Sequence, residues 1–191
     1  FEYLPRIAVE LTVRHVPGVT DPLGRPYSCY VLCEIASTRD DPALRTILET
    51  TLDDAMSAGL VLDAVLAESL AQRNALWRLR ESVPEAQRAE GASIKHDVSV
   101  PIAALPDFMA AAATAVLAIV PAGRMVTYGH VGDGNLHFNV SEPAGGDRAS
   151  FVAKEPEIQA AVHAVVGRFR GSVSAEHGIG RLKRDALARH K

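Results

Sequence analysis

The sequence has little that would tie it to a membrane, a nucleic acid or an oxidising compartment. Its charge is nearly balanced, with 20 Lys and Arg against 23 Asp and Glu for a formal net charge of −3. Nothing in that balance attracts a polyanion or an anionic bilayer, so no nucleic-acid partner is expected. No uninterrupted apolar run reaches the roughly 18 residues of a membrane span, and no signal peptide is recognisable; no membrane span is expected. There are two cysteines, Cys29 and Cys33. Four residues apart on one strand, they would be separated by roughly 13 Å at about 3.3 Å per residue, beyond the roughly 7 Å between Cα atoms that a disulfide tolerates. Reduced cysteines suit a cytoplasmic location. Internal repeats, low-complexity tracts and a Gly-x-Gly-x-x-Gly turn between strand and helix are all missing, so nothing signals a dinucleotide fold.

What is present is an ordinary globular composition. With 191 residues and 48% hydrophobic side chains, the chain can bury a sizeable core within one domain. It opens on Phe1 in mid-pattern, which suggests a piece of a longer protein. Apolar spacing predicts helices over residues 1–15, 41–59, 68–88 with an interruption at Pro84, 105–119 and 157–169. Strands are predicted over 27–36, central and well buried, over 60–66, 94–100 and 172–175, and as a hairpin over 124–140. In the 94–100 strand Ile94, His96, Val98 and Val100 face the core, while Lys95, Asp97 and Ser99 form a polar face. A sheet covered on both faces should be apolar on both. The polar faces and the hairpin therefore favour an α+β fold, an antiparallel sheet with helices mainly on one face.

The hairpin reads Tyr128-Gly-His-Val-Gly-Asp-Gly-Asn-Leu-His-Phe-Asn-Val140. With Asp133-Gly134 as the two-residue loop of a type I′ turn, Gly132 opposes Asn135, Val131 opposes Leu136, and His130 opposes His137. Alternation then sets Leu136, Phe138 and Val140 toward a core and places Asn139 and Tyr128 on the face of the two histidines. Cβ atoms of such a pair are about 4.5 to 5.5 Å apart, so both imidazoles can converge on one ion. A further segment, Glu176-His177-Gly178-Ile179-Gly180, arrives at the end of the last predicted strand. Two imidazoles and a carboxylate make a three-ligand site with open positions, the pattern of catalytic metal centres. Zinc is the first candidate, with manganese and iron as alternatives. Those residues alone allow a self-contained zinc hydrolase, and also a non-catalytic binding module.

The hairpin motif, followed by Ser172-Val-Ser-Ala-Glu-His-Gly-Ile-Gly-Arg181 and Lys183-Arg-Asp185, resembles the C-terminal substrate domain of FAD-linked 2-hydroxy-acid dehydrogenases of the vanillyl-alcohol-oxidase type. Leu79-Arg80-Glu81 and Lys95-x-Asp97-x-Ser99-x-Pro101 fit the same pattern, so the resemblance spans nearly the whole chain. Within that family it is nearer the D-2-hydroxyglutarate and D-lactate dehydrogenases than the glycolate oxidase subunit. The resemblance implies a ferredoxin-like cap domain in which His130, His137 and Glu176 hold a divalent metal. It makes His177 the base that takes the hydroxyl proton as the C2 hydride passes to flavin, with Arg80, Lys95 and Asn139 fixing substrate carboxylates. It implies FAD bound mainly by a domain outside residues 1–191, an electron-acceptor protein or quinone, a possible homodimer, and a fragment inactive alone. Pro84 departs from the pattern, standing where the D-2-hydroxyglutarate enzymes carry a threonine hydroxyl.

Overall fold

Pro5 divides the first fifteen residues into two elements. The residue before a proline is pushed toward extended backbone, and Glu2–Pro5 forms strand β1 where helical spacing had predicted helix. Pro5 then serves as the extended N-cap of α1, Arg6–His15, whose Ala8, Val9, Leu11 and Thr12 are buried. In the computed structural model, which describes residues 1–39 and 41–176, β1 pairs antiparallel with β2, Cys29–Leu32. This four-residue strand is all that forms of the predicted 27–36 strand, and it lies at the sheet edge instead of the centre. Tyr30 is buried against the sheet while Val31 stays 58% exposed.

Asp41 accepts the Ala43 N–H at 3.0 Å at the start of α2, Ala43–Ser57. Gly59, with φ +70°, follows its end. No residue of α2 is fully buried. The predicted strand over 60–66 does not form; Leu60 and Leu62 are 81% and 68% exposed. Its residues pair with none of the described strands, and an unpaired strand has no ladder to stabilise it. The next helix divides at Ser82 into α3, Leu70–Glu81, capped by the Ser69 hydroxyl, and α4, Val83–Glu90. Pro84 lies in the first turn of α4, where its missing N–H leaves no helical bond unmade.

Strands β3, Ser93–Ile94, and β4, Asp97–Ser99, run in one register and pair with the last strand of the sheet. Helix α5, Leu105–Ile119, enters through a 3-10 turn at Ile102–Ala104. The hairpin follows as β5, Arg124–His130, and β6, Asn135–Ser141. Then come α6, Arg148–Ala153, and α7, Glu155–Arg168. The sheet order is β2-β1-β5-β6-β3, with β4 also on β6. The last predicted strand is reduced to a single bridge, Ser172 exchanging backbone bonds of 3.0 and 2.8 Å with Ser99.

The α+β class and the antiparallel sheet are as expected, but the helices divide between both faces. On one face Val98, Leu136, Phe138 and Val140 pack with Phe108, Ala112 and Val116 of α5 and Ile158, Val162 and Val166 of α7. On the other, Leu4, Tyr30, Val126 and Tyr128 pack with α1, Leu79 of α3, and Val83 and Ala86 of α4. This second core covers the β1 and β5 side, and the polar groups gather beside it. Ile102–Ile119 is long and apolar enough to cross a membrane by length and composition, with mean hydropathy 1.9. Here Leu105, Phe108, Ala112 and Val116 press its inner stripe into the core.

Candidate functional site

The hairpin closes differently from the type I′ expectation. Tyr128, not His130, is the register partner of His137. Type I′ needs positive φ at both loop positions, yet Arg170 is the one non-glycine residue with positive φ among those described. Asp133 keeps the ordinary hand, accepts the Asn135 N–H on its side chain at 3.0 Å, and a longer turn over residues 131–134 results. Gly134 alone turns left-handed, at φ +81°, with a Cβ there falling 2.1 Å from the Val100 carbonyl oxygen. The register therefore moves by two residues, one full period of strand alternation, and every side chain keeps its face. His130 and His137 become diagonal neighbours, their ring centroids 6.4 Å apart.

Glu176 reaches these rings from the segment after the Ser99–Ser172 bridge. Its backbone N–H donates to Asp97 Oδ2 at 2.9 Å. Its Oε1 accepts from Asn135 Nδ2 at 2.6 Å and lies 3.2 Å from His130 Nε2. One donor atom from each of His130, His137 and Glu176 lies within 4.8 Å of the others. Two imidazole nitrogens and a carboxylate oxygen at such separations suit a divalent ion of the zinc, manganese or iron type, so the residues present fit one. Burial and then the Arg80 charge push the His137 imidazole below its ordinary value, partly opposed by Glu176 and Asp97. That favours the neutral form a metal requires.

Arg80, at the C-terminal end of α3, points into the same face. Its guanidinium stacks over the Tyr128 ring, 4.9 Å from the centroid, and its Nε donates to Glu2 Oε2. Asn139 is buried, donates from Nδ2 to Gln87 Oε1 at 2.9 Å and is hydrogen-bonded to Tyr128. Lys95 is exposed. The common register of β3 and β4 on β6 sets it opposite Asn139, on the face of Asp97 and His137. The sequence-predicted group is thus gathered on one face, except for His177, which lies outside the described residues.

Three participants escaped the sequence reading. Glu2 was assigned to a helix; the Leu4-Pro5 pair was the available signal for a strand instead. Asn135 and Gln87 reach the site through contacts between elements that no local spacing announces.

The model of the family described as FAD linked oxidases, C-terminal domain, matches residues 1–191. Among curated relatives, the D-2-hydroxyglutarate dehydrogenase of Xanthomonas citri pv. viticola is 37% identical over 187 residues, covering 98% of this chain and 39% of that protein. The mitochondrial D-2-hydroxyglutarate dehydrogenase of Danio rerio is 34% identical over 195 residues, covering 98% of this chain and 33% of that protein. The D-2-hydroxyglutarate–pyruvate transhydrogenase of Saccharomyces cerevisiae is 31% identical, with 98% and 38% covered. The chain spans between a third and two-fifths of the length of these relatives. Over its whole length, the chain belongs to the family of C-terminal domains of FAD linked oxidases.

Proposed function

We propose that this chain is the substrate- and metal-binding domain of an FAD-dependent dehydrogenase that oxidises a D-2-hydroxy acid, foremost D-2-hydroxyglutarate, to the 2-oxo acid. The observation that carries this reading is the convergence of His130, His137 and Glu176 beside Arg80, in a chain whose relatives are D-2-hydroxyglutarate enzymes by name. The three residues would hold a divalent ion, zinc first. Such an ion, when bound, supplies Lewis acidity that lowers the pKa of a coordinated hydroxyl, and FAD supplies the oxidant. Arg80 offers a substrate carboxylate a planar fork of donors, fixed by the Tyr128 ring and by Glu2. Lys95 adds an exposed second cation, suited to the far carboxylate of a dicarboxylic acid. Asn139 holds Tyr128, and so the floor under Arg80. His177, next to Glu176 in sequence, takes the proton of the 2-hydroxyl. Electrons leave to an acceptor protein or quinone. With both cysteines free, a reducing compartment, the cytoplasm first, completes the proposal.

A second substrate, D-lactate, is favoured by Pro84, which has no hydroxyl to offer a second carboxylate. Reduction of an artificial electron acceptor by the complete protein, with each acid in turn, separates the two. Turnover of D-2-hydroxyglutarate well above that of D-lactate is expected. The reverse order reassigns the substrate, and turnover of neither overturns the dehydrogenase reading.

A further inference from the structure

Glu2 is the most deeply buried carboxylate near the site, 2% exposed, and the reaction outlined above gives it no part beyond steadying Arg80. Strand pairing fixes its backbone on both sides, against Leu32 of β2 and His130 of β5. Its two oxygens are divided. Oε1 meets His130 Nδ1, and Oε2 accepts from Arg80 Nε. Arg80 is itself 9% exposed and its guanidinium rests on the Tyr128 ring.

We propose that Glu2 is a positioning residue that locks the metal-binding half of the site to the carboxylate-binding half through one shared carboxylate. This rests on the reading of His130 as a metal ligand and Arg80 as a carboxylate contact. On the His130 side, a carboxylate at Nδ1 selects the tautomer protonated there, leaving the Nε2 lone pair toward Glu176 and the ion. On the Arg80 side, the bond consumes only Nε–H of the five guanidinium donors, so both terminal nitrogens stay available to a substrate. A buried anion between two donors also keeps the Arg80 charge compensated when no substrate is bound.

The proposal depends on Glu2 having two acceptor oxygens. Glutamine has the same shape but one acceptor and one donor group, so Glu2→Gln can serve His130 or Arg80, not both. The permanently charged Arg80 should claim the one oxygen and turn the amide N–H toward His130 Nδ1, while loss of the negative charge weakens the Arg80 bond as well, so both halves are affected. Expected for Glu2→Gln in the complete protein is a 10- to 100-fold loss of zinc affinity, the usual cost of removing a ligand's outer partner. A rise in KM for D-2-hydroxyglutarate of about tenfold should accompany it, with Asp at position 2 too short to restore both.

The closing experiment needs neither metal nor substrate. Nitrogen-15 spectra of histidine-labelled protein, treated with chelator, followed to alkaline pH where the ring carries a single proton, and assigned by comparison with His130→Gln, report the His130 tautomer. Wild-type protein is expected to hold His130 protonated at Nδ1, and Glu2→Gln to shift it toward the Nε2-protonated form or a mixture. Wild-type His130 protonated at Nε2 overturns the proposal without any variant, and so does an unchanged tautomer in a folded Glu2→Gln protein. If the tautomer behaves as expected but wild-type protein binds no divalent ion, the positioning role of Glu2 stands and the metal reading of the site falls.

Discussion

Asp97 and Glu176, 79 positions apart, are joined by a 2.9 Å hydrogen bond from the Glu176 backbone N–H to Asp97 Oδ2. Asp97 is 7% exposed and sits opposite His137 in the sheet. The third member of the proposed metal-binding group is therefore hung from the strand beside the second. Asp97→Ala should leave the fold in place but free the Glu176 segment. A zinc affinity about tenfold weaker is expected from chelator competition, with a loss of about 1–2 kcal/mol in denaturant unfolding from the broken, part-buried bond.

Gly134→Ala tests the hairpin turn. A methyl there would face the Val100 carbonyl oxygen at 2.1 Å and sit at a left-handed φ of +81°. Backbone, not a flexible side chain, would have to move, and the Gly134–Val100 hydrogen bond of 3.0 Å goes with it. A loss of about 2–4 kcal/mol is expected. Amide chemical-shift changes should centre on residues 98–100 and 130–137.

Arg80→Lys keeps the charge and loses the fork, the stacking on Tyr128 and the fixed bond to Glu2. Steady-state kinetics of the complete protein should show KM for the hydroxy acid rising by about 10- to 100-fold, while kcat falls much less. An unchanged KM would remove Arg80 from the substrate contacts.

Glu90 makes stability depend on acid pH. Its carboxylate lies 2.6 Å from His15 Nε2 and 2.5 Å from Arg124 Nη1. These partners, His15 first, hold its pKa down to about 2. An unfolded glutamate protonates near 4.3. The folded state thus gains fully above about 4.3 and loses that gain as pH falls toward about 2. Glu90→Gln should cost about 1–3 kcal/mol near neutral pH. The difference from wild type should shrink across that acid window, followed by urea unfolding at several pH values.

The hairpin shows both what local sequence could tell and where it stopped. Alternation alone put His130, His137, Asn139 and Tyr128 on one face, because a face depends only on parity. The register depended on the turn, and there the Asp-Gly pair misled, since the Asp133 side chain accepts the Asn135 backbone N–H in place of Asp133 taking a left-handed φ. The strand over 60–66 failed because a short apolar segment suits a strand but supplies no partner. Glu2 was hidden behind helical spacing in the residues after Pro5. Its role depends on Arg80 and His130, 78 and 128 positions away, a pairing that only the folded sheet brings about.

The central claim is that His130, His137 and Glu176 hold one divalent ion. Metal analysis of the complete protein prepared without chelator, alongside His130→Ala and His137→Ala, tests it most directly. About one zinc, manganese or iron ion per wild-type chain, falling to background in both variants that remain folded, is the predicted result. Wild-type protein without an ion, or variants retaining the wild-type amount, would contradict it.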